Sequence, residues 1–315
     1  MEKVKTVEAG SPTNEGTEYV RSRRPLGRTW RRFLKHPGAV AGSIILTLLV
    51  IIVLLAPLSP YDPDASSVAE KFQGVSWRHP MGTDALGRDM LTRVLYGGRI
   101  SLTVGFLVVA ITLPLGVSIG AAAGYLGGPV DNILMRITDS ALTLPSLLVL
   151  ILLSAILREV DLPIFSRNSV ITIAVIIGLL SWMTFARLVR AMVLTLREMD
   201  FVTAARALGS PNLRIIFRHI LPGAIGPIIV EATLELGYAI IEESGLSFLG
   251  FGIQPPTASW GNLLSNAQEN FFKYPWLAIF PGLMIFLTII SVNYIGDGLR
   301  DAFDPFKVLF KVGEV

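Results

Sequence analysis

The chain has 315 residues, of which 52% are apolar and only 16% charged, where soluble domains carry about a quarter charged residues. Lys plus Arg number 27 against 24 Asp plus Glu, and there is no cysteine, which excludes disulfides, thiol nucleophiles, iron–sulfur clusters and cysteine-rich zinc sites. The three histidines, His36, His79 and His219, stand far apart in no metal-ligand spacing, so neither a metal nor another cofactor is predicted.

Residues 1–20 are polar and poor in apolar side chains, the composition of a disordered leader. Arg21 to Lys35 holds seven basic residues in fifteen, with Trp30, Phe33 and Leu34 at i, i+3 and i+4. That pattern predicts a short helix lying on an anionic membrane face rather than a nucleic-acid patch, because a hydrophobic span begins four residues later. Ala39 to Leu58 then runs for twenty residues without a charge, and Ser101–Tyr125, Ser140–Leu157, Ser169–Ala186 and Trp276–Ile295 are similarly apolar. A hydrocarbon core of about 30 Å needs about 20 apolar residues in a helix, so each run predicts a span. The first run is too long for a signal-peptide core and ends in Ala56-Pro57-Leu58-Ser59-Pro60 without an A-x-A site, which predicts a retained anchor. A sixth span, Leu221 to about Ile241, is interrupted by Glu231 and Glu235. A charge at a helix centre costs about 2.5–3.5 kcal/mol on insertion scales, so this helix is expected to face a polar cavity or partner helices instead of lipid.

Charge sets the orientation. The nine Lys and Arg before the first span place the N-terminus in the cytoplasm, with residues 59–98 outside. Gly127–Asp139 is then a short inner turn, Arg158–Asn168 an outer connection, and Arg187–Arg218, with six arginines, an inner segment. Gly245–Tyr274 is outside, and the tail from Asp297 is inside. The predicted fold is all-α, a polytopic membrane protein of six transmembrane helices. It divides into a cytoplasmic tail with its interfacial helix (1–37), a first helix and outer loop (38–98), a five-helix core with a cytoplasmic loop at 200–222 (99–297), and a cytoplasmic C-terminal tail (298–315).

The 200–222 segment reads as two short helices with a break. Asp200 opens the first, Gly209 suits the left-handed residue that ends it, Ser210 is placed to cap the second, and Pro211 falls in its first turn. Leu221 and Pro222 mark entry into the next span. Ala204 and Ala205 are small enough to let another protein approach the backbone. These residues resemble the EAA loop of ABC importer permeases, E-A-A-x3-G-x9-I-x-L-P: Ala204, Ala205, Gly209, Leu221 and Pro222 match in register, with Thr203 in place of the glutamate and His219 in place of the isoleucine.

Four more blocks resemble the C-type permeases of dipeptide, oligopeptide and nickel importers. They are His79 to Asp89 (HPMGTDALGRD), Asp131 to Asp139 followed by Pro145, Gly245 to Gly261 with its LSFLG and QPP stretches, and Gly296 to Pro305. The resemblance implies a type I permease fold, a coupling role for the 200–222 loop, and multi-pass residence in the cell membrane with both termini cytoplasmic. It also implies partners: a homologous second permease, two ABC ATPases and an external substrate-binding protein. Peptides are the implied substrate, with nickel chelates or oligosaccharides as alternatives.

Gly82 to Arg88 has a G-x4-G skeleton but lacks the lysine and hydroxyl residue of a phosphate loop, so a turn capped by Asp84 is the better reading. No nucleophile–base or metalloprotease motif occurs, and ATP hydrolysis is assigned to partner subunits rather than to this chain. At 100° per residue Glu231, Glu235, Tyr238 and Glu242 form one stripe. The stripe reads either as a wall of the translocation path that meets amino groups or cations, or as a set of structural contacts to neighbouring helices and headgroups. Glu243 points about 100° further round and is assigned to packing or helix-end bonding. The rival of another class is an ion-coupled secondary transporter with the stripe as proton relay. That reading would favour an inverted repeat, and no duplicated halves are visible in the sequence.

Overall fold

The computed structural model describes residues 26–159 and 170–303. Among these residues the fold is helical, with one isolated bridge between Thr83 and Asp89 and no strand. Five helices are long and apolar enough to cross a membrane, or six if one bent pair counts as a span. The polar leader 1–20, most of the Arg158–Asn168 connection and the end of the C-terminal segment from Asp304 lie outside the described residues.

Helix α1 (Leu26–Lys35) leads directly into α2 (Pro37–Leu54). His36 caps α2, its Nδ1 accepting from the Ala39 amide at 3.1 Å, and Pro37 fills the first turn, where a missing N–H is no loss. Phe33 turns inward against Ala39 and against Ala302 of the last helix, while Trp30 and Leu34 stay exposed. The apolar face predicted for α1 is therefore divided between the protein and its surroundings.

The run that begins at Ser101 belongs to a longer helix, α3 (Met90–Leu126, 37 residues), about 55 Å at 1.5 Å per residue. It starts inside the segment assigned to the outer loop, a correction with a clear cause. Asp89 caps it by accepting from the Thr92 amide at 2.8 Å, and Arg93, which hydropathy reads as loop, donates to the Pro63 carbonyl at 2.9 Å. The segment before α3 is folded onto this helix end, with His79 Nδ1 at 2.9 Å from Asp89. The Gly82–Arg88 segment is the capped turn predicted: Asp84 Oδ1 accepts from the amides of Leu86 and Arg88 at 2.8 and 3.0 Å.

Gly127–Asp139 is not a turn. The chain reverses on Gly127 and Gly128 (φ +67° and +53°) and at once enters α4 (Gly128–Leu142). This helix carries Asp131, Arg136 and Asp139 among its apolar residues, so no apolar run announces it. Next comes α5 (Ser146–Glu159), bent by 89° from α4, so Ser140–Leu157 is not one straight span. Pro145 accounts for the break, because it disfavours helical geometry at the residue before it. After α6 (Val170–Arg197) come two short helices, α7 (Asp200–Ala207) and α8 (Asn212–Ile215), and then α9 (Leu221–Phe248). A short α10 (Trp260–Ala267), opened by a capping box between Ser259 and Asn262, precedes α11 (Trp276–Phe303). Helices α6, α9 and α11 all run past the limits read from hydropathy, and the boundary at 297/298 falls inside α11.

A close seam joins α3 to α6. A Cβ added to Gly116 would strike Phe185, one added to Gly120 the Ala186 carbonyl, and one added to Gly124 the Arg190 carbonyl. Glycines four apart lie on one ridge and let two membrane helices touch along their backbones. Gly120→Ala is therefore expected to destabilise the folded protein by about 1–3 kcal/mol through overpacking. Gly237→Ala is expected to be tolerated, since its Cβ would meet nothing closer than Val292 at 3.6 Å. Thermal melting of the detergent-purified variants checks both; equal behaviour of the two would remove the seam from the account.

Candidate functional site

The 200–222 loop closes as its sequence suggests. At the end of α7 the Gly209 amide donates to the Arg206 carbonyl at 3.0 Å and the Ser210 amide to the Ala205 carbonyl at 3.1 Å, with Gly209 at φ +74°. This is a Schellman motif, which satisfies carbonyls that the helix end leaves open. A Cβ on Gly209 would meet nothing within 4 Å, so the backbone angle alone demands glycine here. Ser210 does not cap the second helix. Its amide is spent on closing α7, and Pro211 stands at the cap position of α8 without a side-chain bond. Asp200 lies in the first turn of α7, where a carboxylate suits the helix dipole.

Ala204 and Ala205 part company. Ala204 is exposed, while Ala205 is buried with Val202, Ile215, Ile216 and Ile220 in the loop's own core. Successive helical residues differ by 100°, so only one of the two can face outward. Sequence reasoning missed three apolar side chains around the break: Leu208 is 86% exposed, Leu213 70% and Phe217 64%. The signal was available, since Leu213 and Phe217 are i, i+4 neighbours. From Ile216 to Ile220 the chain makes a π turn and passes without a gap into α9, where Leu221 is the first residue and Pro222 lies in the first turn.

Three arginines of α6 tie this region to its neighbours. Arg190 grips Asp131 with Nε and Nη2 at 2.5 and 2.6 Å, a bidentate pair of the strong kind. Arg187 meets Asp139 on the same helix α4, in an exposed pair worth little by itself. Arg197 donates to the Gly124 carbonyl at 2.7 Å. The Asp131–Asp139 block seen in the sequence thus holds α4 against α6.

On α9 the four stripe residues fall at the edge between protein interior and open surface. Glu235 is buried, bonded to Ser181 of α6, and its Oε1 has no hydrogen-bond partner. Glu231 and Glu242 are half-buried, and Tyr238 is 60% exposed. Glu243 behaves differently. It is completely buried and accepts from Ser101 at 2.8 Å and Ser247 at 2.7 Å, with Ser244 and Ser259 also bonded to it. Ser101 also receives the Trp260 amide at 3.2 Å, so one carboxylate joins α3, α9 and the start of α10. Among the described residues no cluster of His, Cys, Asp or Glu could hold a metal ion.

The chain is similar to known transport proteins. The family described as "Binding-protein-dependent transport system inner membrane component" matches residues 116–308, and "N-terminal TM domain of oligopeptide transport permease C" matches residues 24–74. The dipeptide transport system permease protein DppC of Alkalihalophilus pseudofirmus is 42% identical over 301 residues, covering 95% of both chains. The glutathione transport system permease protein GsiD of Pectobacterium atrosepticum is 39% identical over 285 residues, 90% of this chain and 92% of its own. A solved inward-facing form of the MetNI methionine ABC transporter superposes with a TM-score of 0.52 at 17% identity, over 68% of this chain and 98% of that one, a likeness of fold.

A buried hydroxyl left without its acceptor costs about 1–3 kcal/mol, and Glu243 serves several. Glu243→Leu is expected to yield little folded protein, whereas Glu231→Gln, half-buried and free of that knot, is expected to stay near the parent level. Size-exclusion recovery after extraction decides; parental recovery of Glu243→Leu would sink the structural role.

Proposed function

The chain belongs to the binding-protein-dependent transport system inner membrane components, and on that premise we propose how its parts serve import. It is an integral membrane permease of the ABC importer type, which works with ATPase and binding-protein partners. Its proposed assembly holds a homologous second permease, two ATPase subunits and an external binding protein, in the cell membrane with both termini cytoplasmic. Di- or oligopeptides are the proposed cargo, supported by relatives named for dipeptide and glutathione transport. Nickel chelates and oligosaccharides lack that support, and so does an ion-coupled carrier. Helix α1, with Arg31 and Lys35 exposed beside Trp30, is proposed to lie in the anionic headgroup layer.

One observation carries the coupling role. The 200–222 loop turns Ala204, Leu208, Leu213 and Phe217 outward and continues without a gap into α9. An exposed apolar patch of this kind suits a protein partner. In this reading Asp200, Ala204, Gly209 and Ser210 shape the contact, Ala205 anchors it from within, and Leu221 and Pro222 pass ATPase motion into the membrane. Gly209→Val forces a β-branched residue into a left-handed angle. The expected result is normal membrane insertion with at least tenfold loss of transport. Uptake equal to the parent at equal expression would show that the loop is not the coupling element.

The stripe of Glu231, Glu235, Tyr238 and Glu242 is proposed as a wall of the translocation path, where carboxylates would favour substrates with a positive charge. Glu235→Gln keeps size and removes charge. It is expected to slow import of a lysine-containing dipeptide several-fold more than that of an alanine-only dipeptide, in proteoliposomes with a binding protein that accepts both. Equal slowing of the two, or none, would return the stripe to a structural role.

A further inference from the structure

The break between α7 and α8 rests on few backbone bonds. Closure at Gly209 ties the residues of α7 to one another, and the amide of Ile215 bonds only to Pro211 within its own helix. The angle between the two short helices is therefore left to side chains: to the loop's own core of Val202, Ala205, Ile215, Ile216 and Ile220, and to any residue outside the loop that holds both helices.

Tyr125 meets the requirement. It sits in the last turn of α3, is buried, and packs in the same core as Val202 and Ala205 of α7 and Ile215 of α8. Its hydroxyl donates to Asn212 Oδ1, the first residue of α8, at 3.1 Å. Its ring lies under the guanidinium of Arg206, near the end of α7, with 5.9 Å between charge and ring centre. One side chain thus holds one residue of each loop helix. The Gly124 carbonyl beside it is taken by Arg197, which fixes the same turn of α3 to the end of α6. The spanning pair α3–α6 and both halves of the loop therefore converge on a single turn.

We infer that Tyr125 is a positioning residue for coupling: together with the loop's own core it sets the angle between α7 and α8, and it fixes the loop to α3, so that motion of the loop moves the membrane helices. This rests on the coupling role proposed for the loop and names the residue through which that role reaches α3. The ring supplies packing and a cation–π seat, which phenylalanine would keep. The hydroxyl supplies the direction of α8, which phenylalanine would lose.

The experiment measures substrate imported per ATP hydrolysed by the assembled importer, reconstituted with its binding protein. Tyr125→Phe is expected to lower that ratio about three- to tenfold, the range one net hydrogen bond supports, at an unchanged level of assembled complex. Asn212→Leu should lower it equally, the double variant no further, and Asn212→Asp, which keeps an acceptor oxygen, should hold the parental ratio. A role in folding alone would change complex recovery and leave the ratio intact. Should Tyr125→Phe fail to assemble, the exposed Asn212 pair gives the same answer. A parental ratio in Tyr125→Phe or in Asn212→Leu overturns the inference. If Gly209→Val is uncoupled in the same assay, only the Tyr125 inference falls; if Gly209→Val also keeps the parental ratio, the coupling reading itself has failed.

Discussion

The close approach of α3 and α6 is the contact on which the other contacts depend. Lipid tails are as apolar as leucine, so membrane helices gain little from merely hiding apolar surface against each other. They gain from contact, and contact needs small residues. Gly116, Gly120 and Gly124 supply it, and the seam they make runs toward the end of α3 that meets α4 and the 200–222 loop. There the same register delivers Arg190 to Asp131 and Arg197 to the Gly124 carbonyl. A bulkier ridge would move the arginines away from α4 and from the turn that carries Tyr125.

Two carboxylates on one helix show how burial separates their roles. Glu243 has no exposed surface but is surrounded by serine hydroxyls from α3, α9 and the start of α10, so its burial is matched by hydrogen bonds. Glu235, two turns earlier, is nearly as buried and keeps one oxygen without a partner. Glu243 thus fastens three elements together, whereas Glu235 is linked to α6 alone, through Ser181.

Much of this was legible in the sequence, and the failures have a common cause. Apolar runs located the membrane helices, because a span needs only length and hydropathy. The loop break was legible because Gly209 acts locally, through its own backbone angle. Helix α4 was not, since it is amphipathic and its acidic residues find partners some fifty residues away, on α6. The first turns of α3 were hidden by Arg93, a charge that only the folded outer loop can satisfy. Ala205 was misjudged because composition cannot say which of two adjacent alanines faces inward. The glycine ridge at 116, 120 and 124 was visible as spacing, and its meaning needed the partner helix.

The continuous rod from Asn212 through the π turn to the end of α9 has a mechanical consequence. It is fastened to α3 twice, near one end through Asn212 to Tyr125 and near the other through Glu243 to Ser101. At about 1.5 Å per residue the two fastenings are roughly 36 Å apart along α3 and roughly 46 Å apart along the rod. Two struts of unequal length pinned at both ends cannot slide past each other like parallel rails. A load applied at the Asn212–Tyr125 corner must turn the pair as one body, or be absorbed where the struts are softest, at the π turn and at Pro114 and Pro227 within the helices. On the coupling role proposed for the loop, the stiffness of two side-chain joints and of three soft points in the helices together sets how much of a push crosses the membrane.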